Sequence, residues 1–139
     1  MTIRNKLEQL HNDERGSVSV LLITIVVALV VIVGLVVDSS GKYQSTQAAQ
    51  MVAASAARAG TNAVAGEAII NGNLALDSTK AQAAAENYLA ASGLTGTVTV
   101  IGNTVTVSVK GTYTTKFLSL IAINSLPIAA KSSAQIITQ

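Results

Sequence analysis

The chain has 139 residues, of which 50% are hydrophobic, 12% charged and 3% aromatic, with no Cys and no Trp. One domain of ordinary size fits that length. The mean hydropathy of +0.50 is high for a chain that folds in water alone. Without Cys, disulfide frameworks, thiolate metal sites and thiol nucleophiles are excluded. The net charge of +2 sits on a charge-poor chain and gives no nucleic-acid footprint.

Residues 1–16 form a polar tail carrying Arg4, Lys6, Glu8, His11, Asp13, Glu14 and Arg15. The charges then stop. From Ser17 to Val37 no residue ionises, and Val, Ile or Leu fills most positions. As a helix this stretch is about 31 Å long, close to the ~30 Å hydrocarbon core of a bilayer. In lipid the backbone must satisfy itself, so helix formation outweighs the modest propensity penalty of β-branched residues. A buried core helix is the competing reading, but so small a domain has little room to enclose so long an apolar run. A cleaved secretory signal would have a shorter apolar region and a small-x-small site, whereas this run ends Val-Val-Asp-Ser-Ser-Gly. Arg4, Lys6 and Arg15 precede the span and Lys42 alone follows closely, which predicts a cytoplasmic N terminus. The expected division is a cytoplasmic tail at 1–16, a transmembrane helix at 17–37 and an extracytoplasmic domain at 38–139.

Beyond Asp38 the sequence is rich in Ala, and the helix is expected to continue outward. Ala49, Ala53, Ala57, Thr61 and Ala65 recur every fourth residue and form one ridge of small side chains. Such a ridge admits close backbone approach, either by the chain's own sheet or by a helix of a neighbouring subunit. Asn71-Gly72-Asn73 reads as a turn. A second helix follows, capped at Asp77 or Ser78 and stopped near Ser92-Gly93, with Ala81, Ala84, Ala85, Tyr88 and Leu89 on one side.

The period then falls from 3.6 to 2. Thr97–Ile101 and Thr104–Val109 flank the two-residue loop Gly102-Asn103, which predicts a hairpin with a primed turn. A two-residue turn pairs Val100 with Val105 and Val98 with Val107 on one face. It pairs Thr99 with Thr106 and Thr97 with Ser108 on the other. Tyr113 keeps the parity of Val107 and Val109, Phe117–Ile121 suits a short helical turn, and Ile128, Ala130, Ala134 and Ile136 share the parity of a third strand. The fold class is therefore α+β. A long N-terminal transmembrane helix continues into an Ala-rich helix packed on a small three-stranded antiparallel sheet.

The residues for catalysis do not assemble in the sequence. His11, the sole imidazole, lies in the tail, across the bilayer from the folded part. No Ser-His-Asp set, metal-ligand spacing or phosphate loop is present. No cofactor, nucleic acid or small-molecule substrate is implied. Asp38 is the one charge whose position carries meaning, either marking the water interface or meeting a cation on a neighbouring anchor.

Arg15-Gly16-Ser17-Val18-Ser19-Val20, the aliphatic run, Gly34-Leu35-Val36-Val37-Asp38, and Gln47-Ala48-Ala49 through Ala56-Ala57 together resemble the TadE/TadG-like family of tight-adherence (Flp) pilus machinery. The resemblance covers residues 15 to 60. It implies a pilin-like fold and a single-pass, non-enzymatic envelope protein of the bacterial cytoplasmic membrane, a minor pilin or assembly factor, that works among other pilins, pilus-assembly proteins or further copies of itself. Asp38, Ala49, Ala53 and Ala57 are then the candidate assembly interface. Gly16 and Ser17 flank the bond that a prepilin peptidase would cut in related pilins. Leu21 stands where those pilins carry Glu, so the tail is expected to stay in place. A membrane-tethered adhesin or receptor that joins no filament is the alternative.

Overall fold

The computed structural model describes residues 3–71 and 77–136, with side chains described for 16–65 and 77–136. The chain order is α1 (Ile3–Asn71), α2 (Ser78–Ala91), β1 (Thr95–Ile101), β2 (Thr104–Thr114), a 3-10 turn (Leu118–Ile121) and β3 (Ser125–Gln135). The turn expected at Asn71-Gly72-Asn73 lies outside the described residues, apart from Asn71 as the last residue of α1.

Helix α1 runs unbroken through Gly34, Gly41 and Gly60. Within Gly16–Ala65 it carries a stretch long and apolar enough to cross a membrane, with mean hydropathy 3.5 and only 6% of that stretch buried. From Ser17 to Val37 every residue except Gly34 is exposed. Burial begins in earnest above Asp38, where Ala49, Ala53, Ala56, Ala57 and Val64 enter the core. The physical division is therefore between a bare aliphatic length and a length that packs.

Asp77 caps α2, its carboxylate accepting from the Thr79 and Lys80 amides. Ser92 ends the helix and Gly93 follows in the left-handed region at φ 70°. The buried stripe of α2 is Ala81, Ala85 and Leu89, each one turn apart. Ala84 is only half-buried and Tyr88 is exposed, so the packed face is narrower than the periodicity suggests.

The sheet is an antiparallel meander in the order β1-β2-β3. Val98 pairs Val107, Val100 pairs Val105, Thr97 pairs Ser108, and Ile101 pairs Thr104, as alternation requires. Gly102 takes φ 55° at the first turn position, while Asn103 is not among the positive-φ residues, which is the pattern of a type II′ turn. Val105, Val107 and Val109 are the largest fully buried apolar side chains. They sit in one core with the alanines of both helices, and with Ile128 and Ala130 of β3. Strand β3 begins at Ser125, three residues before the apolar alternation, and includes Pro127 opposite Thr112. An edge position permits this, because an outer strand can leave one N–H out of the ladder.

Gln50 closes the edge. Its side-chain amide donates to the Lys131 carbonyl at 2.8 Å and accepts from the Lys131 N–H at 3.3 Å, so one glutamine stands in for a strand residue and ties α1 to β3.

Candidate functional site

Gly34, Asp38 and Gly41 are spaced four and three residues apart, which puts them on one stripe of α1 at the outer end of the apolar run. The end of β2 and the segment joining it to β3 lie on that stripe. A Cβ at Gly34 would come within 2.8 Å of the Phe117 Cβ, and one at Gly41 would overlap the Tyr113 hydroxyl. The two glycines thus make room for two aromatic side chains from a segment some eighty residues away.

Between them Asp38 is fully buried. Its Oδ1 accepts from the Lys116 amide at 2.7 Å and from the Tyr113 hydroxyl at 3.5 Å. Its Oδ2 accepts from the amides of Phe117 at 2.9 Å and Leu118 at 2.6 Å. A carboxylate offers about four acceptor positions, and here four donors fill them. Burying a charge is costly unless it is hydrogen-bonded, and charge-assisted bonds to backbone amides are among the strong ones. Burial pushes the Asp38 carboxyl up, but the amides of Lys116, Leu118 and Phe117 and the Tyr113 hydroxyl outweigh it and hold the group below its ordinary 3.8. Tyr113 moves the other way, raised above 10.0 by burial, by the charge of Asp38 and by the bond it donates to that carboxylate.

The site is a latch. It fastens one end of the sheet to the helix where the apolar run stops. A cation on a neighbouring anchor would have to displace the four donors to reach Asp38. The amides that hold Asp38 cannot be identified from the sequence, since a backbone N–H leaves no mark in it. What the sequence does carry is the Gly-Asp-Gly stripe, together with a polar-to-apolar step at Lys116-Phe117-Leu118.

The other candidate interface residues also lie within the fold. Ala49 is 2% exposed, and Ala53 and Ala57 are 0% exposed. Just beyond them, a Cβ at Gly60 would meet the Ala81 carbonyl at 2.8 Å, Val105 Cγ1 at 3.1 Å and Ala85 Cβ at 3.4 Å. Small residues bring α1, α2 and the sheet into contact within one chain. Gly16 and Ser17 are exposed on α1, and no atom beyond the local helix lies within 4 Å of a Cβ built at Gly16.

No curated protein and no solved structure matches the chain. The family comparison does find a match. It begins at the foot of the apolar run, includes the Gly34–Asp38–Gly41 stripe and ends two residues past the core residue Val64. Residues 16–66 match the Tad family, described as "Putative Flp pilus-assembly TadE/G-like", and this is the family the sequence motifs resemble.

Proposed function

We propose that the chain is a non-enzymatic, single-pass component of a Tad/Flp-type pilus, a minor pilin or assembly factor. Its span lies at 17–37 in the bacterial cytoplasmic membrane, with the tail 1–16 in the cytoplasm and residues 38–139 outside. The observation that carries this reading is the coincidence of the family match with one helix that is bare over its apolar length and latched to its own sheet where that length ends. Such a build suits a part that stands in a membrane and presents a fixed domain to other envelope proteins. Pilins, pilus-assembly proteins and copies of the chain itself are its expected partners.

With Asp38, Ala49, Ala53 and Ala57 inside the fold, they act in assembly by fixing the shape of the surfaces around them. Deleting the gene tests the function. Loss of surface pili, restored by the wild-type gene, supports the reading, and normal piliation and adherence would overturn it. Mass spectrometry of the mature N terminus separates the two roles. A new terminus at Ser17, in protein recovered from sheared filaments, marks a pilin, and an intact Met1 in the membrane fraction marks an assembly factor.

A further inference from the structure

The 3-10 turn contributes a second apolar surface beside the span. Leu120 is 79% exposed, Ile121 54%, Phe117 41% and Ile123 41%. Together with Val30, Val31 and Gly34 of α1, the side chains of Phe117, Leu118, Leu120 and Ile121 line one groove with almost no polar surface. Val30 and Val31 precede Asp38 by eight and seven residues, so this groove extends about 10 Å below the latch along the helix axis. The turn therefore lies alongside the apolar length of α1 and continues its lipid-facing surface.

We infer that the Phe117–Ile123 turn is a second membrane-inserted element, its apolar tip seated among the acyl chains of the outer leaflet and reaching about 10 Å below the headgroup boundary. This rests on the reading of 17–37 as a membrane span. Irregular backbone survives in hydrocarbon only if its polar groups are satisfied without water, and here they are largely satisfied from within. The Lys116, Phe117 and Leu118 amides are held by Asp38. The amides of Thr115, Leu120, Ala122 and Ile123 donate to the carbonyls of Asn124, Phe117, Ser119 and Leu118. The two hydroxyls are also engaged, Ser119 donating to the Lys116 carbonyl and Thr115 to that of Ile123. Polar residues bracket the turn, Lys116 before it and Asn124-Ser125 after it, where the headgroups would lie. The inferred depth is close to that at which interfacial helices bury their apolar faces. Asp38 thus has a further task, to occupy the amides that would otherwise keep this turn in water.

The chain has no Cys, so single cysteines can be placed and labelled with an environment-sensitive fluorophore. Three full-length variants are reconstituted in phosphatidylcholine–phosphatidylglycerol vesicles: Leu120→Cys at the turn, Val27→Cys in the span, and Thr97→Cys on the exposed face of β1. Each is challenged with doxyl-labelled lipid and with aqueous iodide. At Leu120 a blue-shifted emission is expected, quenched several-fold more by doxyl lipid than by iodide, as at Val27. Thr97 should show the reverse. Iodide quenching at Leu120 with lipid quenching retained at Val27 would place the turn in water and overturn the inference alone. Protection of Leu120 from both quenchers would mean that protein covers the turn, and would overturn it too. If Val27 itself escapes lipid quenching, the span reading fails and the inference falls with it. Leu120 is mostly exposed, so its replacement leaves the core packing intact.

Discussion

Replacing Gly60 by Ala adds a single methyl group at a close crossing of α1 with α2. That methyl would stand 2.8 Å from the Ala81 carbonyl oxygen, and 3.1 and 3.4 Å from Val105 and Ala85 side-chain carbons. The carbonyl belongs to the backbone of α2 and cannot swing aside, so the helices must separate. Overpacking of this kind costs about 1–3 kcal/mol, against about 1 kcal/mol gained by replacing Gly with a better helix former. Because the clash is with backbone, the cost falls in the upper half of that range, about 2–3 kcal/mol, and the net expectation is a loss of about 1–2 kcal/mol. In a domain of this size each kcal/mol moves the melting midpoint by about 4–8 °C. Gly16→Ala is the matched control, because a Cβ there meets nothing within 4 Å and the same propensity gain applies. Thermal unfolding of both variants in detergent micelles, followed by far-UV circular dichroism over a range of protein concentrations, reads the difference. Gly60→Ala should melt several degrees below wild type at every concentration, and Gly16→Ala should not. If Gly60→Ala melted like wild type, or lost stability only where the protein oligomerises, the small-residue ridge would be serving a contact between chains and the assignment to the monomer core would be wrong.

Asp38→Asn replaces four acceptor positions by one carbonyl and an NH2 group that faces donors, so the Lys116, Phe117 and Leu118 amides should exchange faster with deuterium, while the β1–β2 hairpin amides keep their protection. Because the folded Asp38 carboxyl lies below its ordinary value, its contribution is complete above the unfolded value near pH 4 and is lost as pH falls through the lower folded value. Loosening of the turn in acid, measured by the same exchange, should therefore appear in the wild type and be absent from Asp38→Asn, which is already loose at neutral pH. Gly102→Val forces a β-branched residue to φ 55° and should lower the midpoint of the sheet domain by about 1–2 kcal/mol equivalent in a denaturant titration. Gln50→Leu removes both bonds to Lys131 and should cost about 1 kcal/mol in the same titration, a small effect because the site is exposed.

The hairpin was legible in the sequence down to its register, because a period of two with Val on one face and Thr on the other leaves a single pairing that buries the valines. The caps of α2 were legible for a similar reason, since Asp77 and Gly93 act on atoms within a few residues. The ridge at Ala49, Ala53 and Ala57 could be located but its partner could not, because small side chains permit close approach by anything flat. The latch was hidden more deeply. Its energy comes from backbone amides at 116–118 acting on a carboxylate about eighty residues earlier, and nothing local to Asp38 records them. Pro127 concealed the start of β3, as a ring that breaks a central strand is tolerated on an outer one.

Because one helix is both the apolar span and the spine of the core, the domain has no hinge where the two meet. Thirty-four residues of α1 lie beyond Val37, a lever of about 50 Å at 1.5 Å per residue. A tilt of ~20°, ordinary for a helix in a bilayer, would swing the far end of that lever sideways by about 17 Å. On the proposed membrane placement, whatever sets the angle of the span, whether bilayer thickness or packing against other helices, thereby aims the sheet.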